Sequence, residues 1–430
     1  MERIRVYAIG MGAVTPVGNS VPIMWNNLLN GASGIGYNTF SSYRRVTQDE
    51  YDNPTEDLYF QNSIAAEVKD FDPEQWIDKK DIRRFDPFAQ FAIAAADEAV
   101  QQAGLLEITN GNRNRWGVFI GSGNGGQATN EYYHDLMRAK GARSVSSFMV
   151  PGIMLNAATA AVARIYGCQG DSATLTSACA TGVDVLGLAL ERIRRGKVEV
   201  AIAGASDAVI TPLTVAGFAN MKALLKTYDG NPKESSRPFD RDRKGFVMGE
   251  GAGIMVLASE KFIEIHHLTP LAEIAGYGCA QDAYHLTAPD PDGTYAAKAI
   301  RNALNDAGII PDQIGYINAH GTGTPLNDKM ETIALKLALG RSIARDIPTS
   351  STKSMIGHLI GAAGAVETII TALTLIYGKA HPTLNLDNVG PECAGLDHII
   401  DRPRMIHTDY ALKDAFGFGG TNSALILKRV

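Results

Sequence analysis

The 430-residue chain carries one unit twice, and that duplication constrains its fold more than any other feature. The first copy is Ala96-Asp97-Glu98-Ala99-Val100-Gln101-Gln102-Ala103-Gly104-Leu105, a helical pattern with a glycine stop. The apolar strand Trp116 to Ile120 and the turn Gly121-Ser122-Gly123 follow it. Roughly two hundred residues on, the order recurs as Ile300-Arg301-Asn302-Ala303-Leu304-Asn305-Asp306-Ala307-Gly308-Ile309, the strand Ile314 to Ala319, and His320-Gly321-Thr322-Gly323. The ends match as well: Gly249-Glu250-Gly251-Ala252-Gly253 leads into Ile254 to Leu257 as Gly417-Phe418-Gly419-Gly420 leads into Ala424 to Leu427. The boundary falls near Glu260 to Thr269, giving halves 1–260 and 261–430. Strands alternating with helices in each half predict an α/β architecture of parallel or mixed sheets covered by helices, with ligands at the strand ends.

The chain opens with a strand, Arg5 to Ile9, read as followed by a turn at Gly10-Met11-Gly12 and a helix from Val21 to Leu29. A dinucleotide site is not supported, because the third glycine and the acidic residue ending the next strand are missing. Gly36 to Ser63 is polar, rich in tyrosine and charge, and interrupted by Pro54, so it reads as a long excursion.

Charge narrows the function classes. A net charge of −6 with 20% charged residues argues against nucleic acid as a partner, since phosphate contacts call for a basic face. Apolar stretches broken by Gly, Ser or charge predict no membrane span. Cys168, Cys179, Cys279 and Cys393 show no paired spacing and no signal-like segment is read at the N-terminus, which points to a reducing cytoplasm.

Cys179 is the candidate nucleophile. Ala173 to Thr176 reads as a short buried strand, small residues turn the chain, and Val183 to Arg195 has a helical apolar pattern, placing the thiol at a helix N-terminus. Unpaired N–H groups and the helix dipole there favour a thiolate, so the thiol pKa is expected to fall. A small buried hydrophobe is the alternative. Two histidines favour chemistry: His320 follows a buried strand in a glycine-lined turn, and His358 precedes the small-residue helix Gly361-Ala362-Ala363-Gly364-Ala365-Val366-Glu367. Cys and His separated by more than a hundred residues match no compact zinc pattern, and the tandem repeat speaks against a Cys-His protease.

Six ordered motifs span the chain: Ser177-Ala178-Cys179-Ala180-Thr181-Gly182, Arg237-Pro238-Phe239-Asp240, Gly249-Glu250-Gly251-Ala252-Gly253, His320-Gly321-Thr322-Gly323-Thr324-Pro325, Lys353-Ser354-Met355-Ile356-Gly357-His358 and Phe416-Gly417-Phe418-Gly419-Gly420. With them the sequence resembles the β-ketoacyl-acyl-carrier-protein synthases of the type II class, thiolase-fold condensing enzymes. The resemblance implies a duplicated thiolase fold of five layers, α-β-α-β-α, with two pseudo-symmetric halves and usually a homodimer. It implies a decarboxylative Claisen condensation: Cys179 accepts an acyl chain from the phosphopantetheine arm of acyl carrier protein, and malonyl-carrier protein supplies two carbons. No bound cofactor and no metal are called for.

The resemblance also implies roles. The amides of Cys179 and Phe418 would form the oxyanion hole, and His320 and His358 would stabilise the enolate. Lys353 and Glu367 would form a supporting pair orienting His358, or else a purely structural ion pair. Thr322 and Thr324 match positions that bind the pantetheine amides, and Phe418, flanked by Gly417 and Gly419, matches a gatekeeper of the acyl pocket. Phe218 matches a pocket-lining residue or is simply core. Asn124, standing where the family commonly has a small or apolar residue, is expected at the floor of the acyl channel, and leaves chain length open. Lys79, Lys80, Arg83 and Arg84, with Arg143 and Lys222, make a candidate docking patch for an acidic carrier protein. Two rivals remain: the ketosynthase chain of a type II polyketide or polyene pathway, which can pair as a heterodimer, and a non-catalytic chain-length factor, disfavoured by the presence of Cys179, His320 and His358.

Overall fold

The computed structural model describes residues 3–43, 59–108 and 113–430. The excursion begins and ends as a small antiparallel ladder, Gly36–Tyr37 against Ile64–Ala65; its centre, 44–58, lies outside the described residues.

Ten strands among the described residues form one continuous sheet. In chain order they are β1 Val6–Val14, β2 Trp116–Gly121, β3 Val200–Asp207, β4 Gly251–Ser259, β5 Ala272–Gln281, β6 Ile314–Asn318, β7 Pro348–Ser350, β8 Asp397–His398, β9 Tyr410–Gly417 and β10 Thr421–Lys428. Across the sheet they run β8-β7-β6-β9-β10-β5-β1-β4-β3-β2. Outward from the middle, β1, β4, β3 and β2 mirror β5, β10, β9 and β6: each series has two antiparallel pairings and then a parallel one. Among the described residues the two half-sheets join through two ladder pairs, Tyr7 with Glu273 and Ala8 with Ala272.

The helices that matter here are α1 Val21–Leu29, α2 Pro87–Gln102, α3 Ala157–Tyr166, α4 Thr181–Arg194, α5 Thr294–Ala307, α6 Pro325–Leu339 and α7 Ala363–Tyr377. Helices α2 and α3 cover the outer face of the first half and α5, backed by α6, that of the second. Between the half-sheets lie α4 and α7, packed on each other and on strands of both halves. Three buried apolar clusters fill the spaces between these five layers. The five-layered duplicated architecture expected from the sequence is thus the observed one.

Small residues set the layer spacing. A Cβ on Gly182 would lie 2.3 Å from the amide nitrogen of Ala365, and one on Gly364 would lie 2.9 Å from that of Val183, so α4 and α7 approach backbone to backbone. Gly10 and Gly12 do not form the expected turn; both lie within β1. Their role is contact with α2, because a Cβ at either position would fall about 2 Å from a carbonyl oxygen, that of Ala99 or Ala95.

Two other sequence expectations are corrected. Ala173 to Thr176 is not a strand of the sheet and makes only an isolated bridge from Ala173 to Phe119. The Ser172 hydroxyl takes the Val118 amide that a ladder partner would otherwise accept, at 2.9 Å. Apolar stretches are also longer than read: Ile360–Tyr377 is long and apolar enough to cross a bilayer. It is, however, 89% buried inside the molecule, as befits a core helix flanked by sheet on both sides.

Candidate active site

The duplication brings the chemistry together. Cys179 precedes α4 and His358 precedes α7, so the two sit at equivalent positions on the paired central helices, while His320 follows β6. All three line one cavity of about 280 Å³, with Phe218, Lys222, Phe246, Thr322, Thr324, Ile360, Phe416, Gly417 and Phe418 also in its wall.

The nucleophile stands on a tight elbow. Ala178 has φ 51°, a left-handed conformation unfavourable for a residue with a Cβ, and Ser177 and Cys179 bridge around it. Thr181 clamps the turn: its Oγ1 accepts the Ser177 N–H at 2.8 Å and donates to the Ala178 carbonyl at 2.7 Å. Asp184, in the first turn of α4, accepts the hydroxyls of Ser177 (2.5 Å), Tyr277 (2.8 Å) and Ser423, fastening the elbow to β5 and β10. Gly417 must be glycine, since a Cβ there would lie 2.6 Å from the Ser177 carbonyl oxygen.

The thiol pKa departs from expectation. Burial pushes Cys179 up to about 12, against the lowering effects of Lys353 and of the backbone amides of Phe418 and Cys179. Desolvation outweighs the Lys353 charge and the two amides because the thiol is almost fully enclosed beside two uncharged rings. The same two amides, aimed at the sulfur, are the pair to which the sequence reading gave the oxyanion hole.

Both histidines are buried and held well below the ordinary imidazole range, first by desolvation and then by the ammonium of Lys353, with Lys413 adding to the effect on each. Their rings meet edge to face, centroids 5.3 Å apart. Lys353 Nζ donates to the His320 carbonyl at 2.6 Å and to its Nδ1 at 3.4 Å. An acceptor Nδ1 on a neutral ring places the proton on Nε2. His358 is positioned by its backbone instead: its N–H donates to the Val247 carbonyl at 2.7 Å and its carbonyl accepts from Gly249 at 2.9 Å. The Lys353–Glu367 pair forms as expected, at 2.6 Å, but it orients His320 and not His358, because Lys353 projects from the helical turn Lys353–Ile356 toward the end of β6.

Thr322 and Thr324 join through their hydroxyls at 2.9 Å, and Thr324 Oγ1 also accepts the Asn327 N–H to cap α6. Phe218 and Phe418 face each other at 6.1 Å, and Gly419, with φ 83°, supplies the flexible side of the loop. Asn124 is not brought to this cavity. It is exposed on the single chain, its amide anchored to Asp207 at 3.3 Å. Among the basic residues, Lys222 stands exposed at the cavity wall, and Arg83 and Arg143 are exposed. Lys79, Lys80 and Arg84 pair locally with Glu74, Asp78 and Asp81, which reduces their field.

Some residues of the site escaped the sequence reading. Asp207, pushed up to about 6 by burial, accepts Ser122 Oγ (2.6 Å) and the amides of Gly123 (3.0 Å) and Gly361 (2.7 Å), tying the β2 turn to the segment after His358. Lys413, Asp414 and Glu331 lie behind His320 with zero exposure. Two charged residues inside the otherwise apolar run Tyr410–Gly417 were the available signal.

A cysteine nucleophile with two amide donors and paired neutral histidines, on a duplicated five-layer fold, defines the thiolase-fold condensing enzymes. Residues 3–262 match the family description Beta-ketoacyl synthase, N-terminal domain, and 271–387 match Beta-ketoacyl synthase, C-terminal domain. The chain belongs to the beta-ketoacyl synthase family. It is 42% identical to 3-oxoacyl-[acyl-carrier-protein] synthase 2 of Vibrio cholerae over all of both chains. It is 41% identical to the synthase 2 of Staphylococcus aureus MRSA252, covering 100% of this chain and 99% of the relative. Among solved structures it resembles the ishigamide ketosynthase/chain length factor (TM-score 0.89, 32% identity, all of both chains). It also resembles a chain of AntDE:AntF, a type II polyketide carrier protein in complex with its ketosynthase (TM-score 0.87, 32% identity, all of both chains).

Proposed function

We propose that the chain is a 3-oxoacyl-acyl-carrier-protein synthase that elongates acyl chains by two carbons in fatty acid synthesis. The observation that carries this reading is the convergence on one cavity of the Cys179 thiol, two backbone amides and two neutral imidazoles.

In the first half-reaction Cys179 Sγ attacks the acyl thioester. The tetrahedral oxyanion is met by the Cys179 and Phe418 amides, the bond to the pantetheine sulfur breaks, and the thiol proton passes to that sulfur. A thiol raised to about 12 stays protonated until substrate arrives, so the proton is available to the leaving group. In the second half, malonyl-carrier protein loses CO2 and its C–C bonding electrons become an enolate. His320 donates Nε2–H to the enolate oxygen, with His358 beside it; a fixed dipole at that point needs no reorganisation. The carbanion attacks the Cys179 thioester, the sulfur leaves as thiolate and takes up one proton from solvent, and the 3-oxoacyl chain departs on the carrier. Thr322 and Thr324 hold the pantetheine arm, Phe418 gates the acyl pocket with Phe218 in its wall, and Lys222 lies nearest the tunnel for carrier docking. No bound cofactor takes part, and a reducing cytoplasm suits the free thiol.

Full-length identity of 42% to a 3-oxoacyl-[acyl-carrier-protein] synthase 2 supports the fatty acid pathway over the polyketide alternative. Exposed Phe148, Val150, Met154 and Leu155, in and on either side of the short helix Met149–Ile153, suit pairing with a second copy. The test is intact-mass spectrometry with a panel of acyl-carrier proteins, followed by product analysis after malonyl-carrier protein is added. Wild type gains acyl mass and yields products two carbons longer, and Cys179→Ala gains none. An unmodified Cys179 with every donor contradicts the catalytic reading, and polyketone products identify the polyketide rival.

A further inference from the structure

Behind the His320 imidazole lies a buried charge cluster that the condensation as described does not use. Glu367 on α7 is gripped by two ammonium groups, Lys353 Nζ at 2.6 Å on Oε1 and Lys413 Nζ at 2.9 Å on Oε2, with all three side chains essentially unexposed. Lys413 also donates to the Asn318 carbonyl at 3.2 Å, two residues ahead of His320. Its neighbour Asp414 accepts the His320 backbone N–H at 2.9 Å, and Glu331 on α6 accepts the next amide, Gly321, at 2.8 Å. Asp414 Oδ2 and Glu331 Oε1 are buried without a hydrogen-bond partner, and Glu367 Oε2 meets Lys413 as an ion pair only. The groups facing His320 are therefore Lys353 and His358 on the segment before α7, Lys413 and Asp414 on β9, and Glu331 and Asp328 on α6, with Glu367 behind the lysines.

We propose that Lys413 is a positioning residue for the decarboxylation step, a built-in counter-cation that fixes the charge state and tautomer of His320 through Glu367 and Lys353. The inference rests on the reading of His320 as an enolate donor. Two ammonium groups against Glu367 and one negative charge on the Asp414–Glu331 pair balance to zero, and Asp328 is offset by Arg243 at 3.5 Å. A proton on one of these carboxyl groups gives one of the two orphaned oxygens a donor of its own. Mutual repulsion and burial raise Glu331 well above its ordinary range, consistent with its carrying that proton. Protonated His320 would turn an Nδ1–H toward the Lys353 ammonium, donor against donor, and the ring would leave its place. A nearby buried cation opposes that protonation, and Lys413 does so without touching the ring.

The test is the pH profile of CO2 release from malonyl-carrier protein by Lys413→Met, Lys413→Met/Asp414→Asn and wild type, each shown folded by circular dichroism. Removing one lowering influence raises the His320 pKa, so the acid limb of Lys413→Met moves to higher pH. Its rate relative to wild type falls progressively on the acid side and stays within about threefold at about pH 8. The double variant removes one charge of each sign and moves the limb back; it also remains informative where the single variant does not fold. A uniform fall with an unmoved profile, or a double variant no better placed than the single, overturns the inference. His320→Ala separates the two readings: CO2 release surviving that change contradicts the donor role itself, whereas its loss beside an unmoved Lys413→Met profile contradicts the role of Lys413 alone.

Discussion

Cys179 is placed for attack but not ionised in the resting site. With burial holding the thiol near 12, the thiolate fraction at neutral pH is small and grows tenfold per pH unit. Alkylation of the free enzyme by iodoacetamide should accordingly climb without a plateau from about pH 7 to about pH 10, measured as loss of the Cys179 tryptic peptide. A plateau near neutrality would mean that the helix-end field wins after all. Gly417→Ala places a methyl 2.6 Å from the Ser177 carbonyl and so should disturb the elbow and cut acyl loading at least about tenfold. Glu250 offers a stability test. Burial raises its carboxyl to about 8, despite donors from Ser42 and Val68. An acid whose folded pKa lies above its unfolded value loses stability as pH rises from the unfolded to the folded pKa, and no more above it. Wild type should therefore lose melting temperature steadily between about pH 5 and about pH 8 relative to Glu250→Gln and level off above that, read by differential scanning calorimetry. Cys179, His320 and His358 were legible in the sequence because glycines and small residues mark the turns that carry them. Lys413, Asp414 and Glu331 were not, because their partners are brought together only by the β6–β9 pairing and by the α6 and α7 packing.

Between elements, glycine carries more information than helix or strand propensity. The run Gly10-Met11-Gly12 has the composition of a turn, yet its backbone is a strand pressed against α2, which no local rule reveals. The segment Ala173 to Thr176 has the opposite history: β-branched residues suggested a strand, but the Ser172 side chain takes the hydrogen bond that would have continued the ladder. The small-residue helix after His358 was readable as a helix, while its reason, the close crossing of α7 and α4, lay in the other half of the chain. Gly364→Val should wedge that crossing apart and destabilise the fold by about 3 kcal/mol or more, measured by guanidinium unfolding. A loss below about 1 kcal/mol would show that the helices can part without cost to the sheets.

For the whole molecule, duplication explains why one site needs both halves. The repeat seen in sequence becomes two strand series related about the β1–β5 junction, and the equivalent central helices present Cys179 from one half and His358 from the other. The acyl acceptor and one donor are thus contributed by symmetry, and His320 completes the set from the end of β6. Asn124, expected at the floor of the acyl channel near the dimer interface, is exposed on the single chain, on the turn that Asp207 ties down. The central claim is a division of labour: Cys179 stores the acyl chain and the histidines release CO2 from the malonyl unit. It is tested most directly by giving His320→Ala and His358→Ala first an acyl-carrier protein and then carboxyl-labelled malonyl-carrier protein, and measuring acyl mass on Cys179 and labelled CO2 in the same samples. The account predicts that both variants still load Cys179 while CO2 release and 3-oxoacyl product fall together by at least about a hundredfold. Variants that release CO2 at the wild-type rate, or that lose acyl loading as completely as Cys179→Ala, would contradict it.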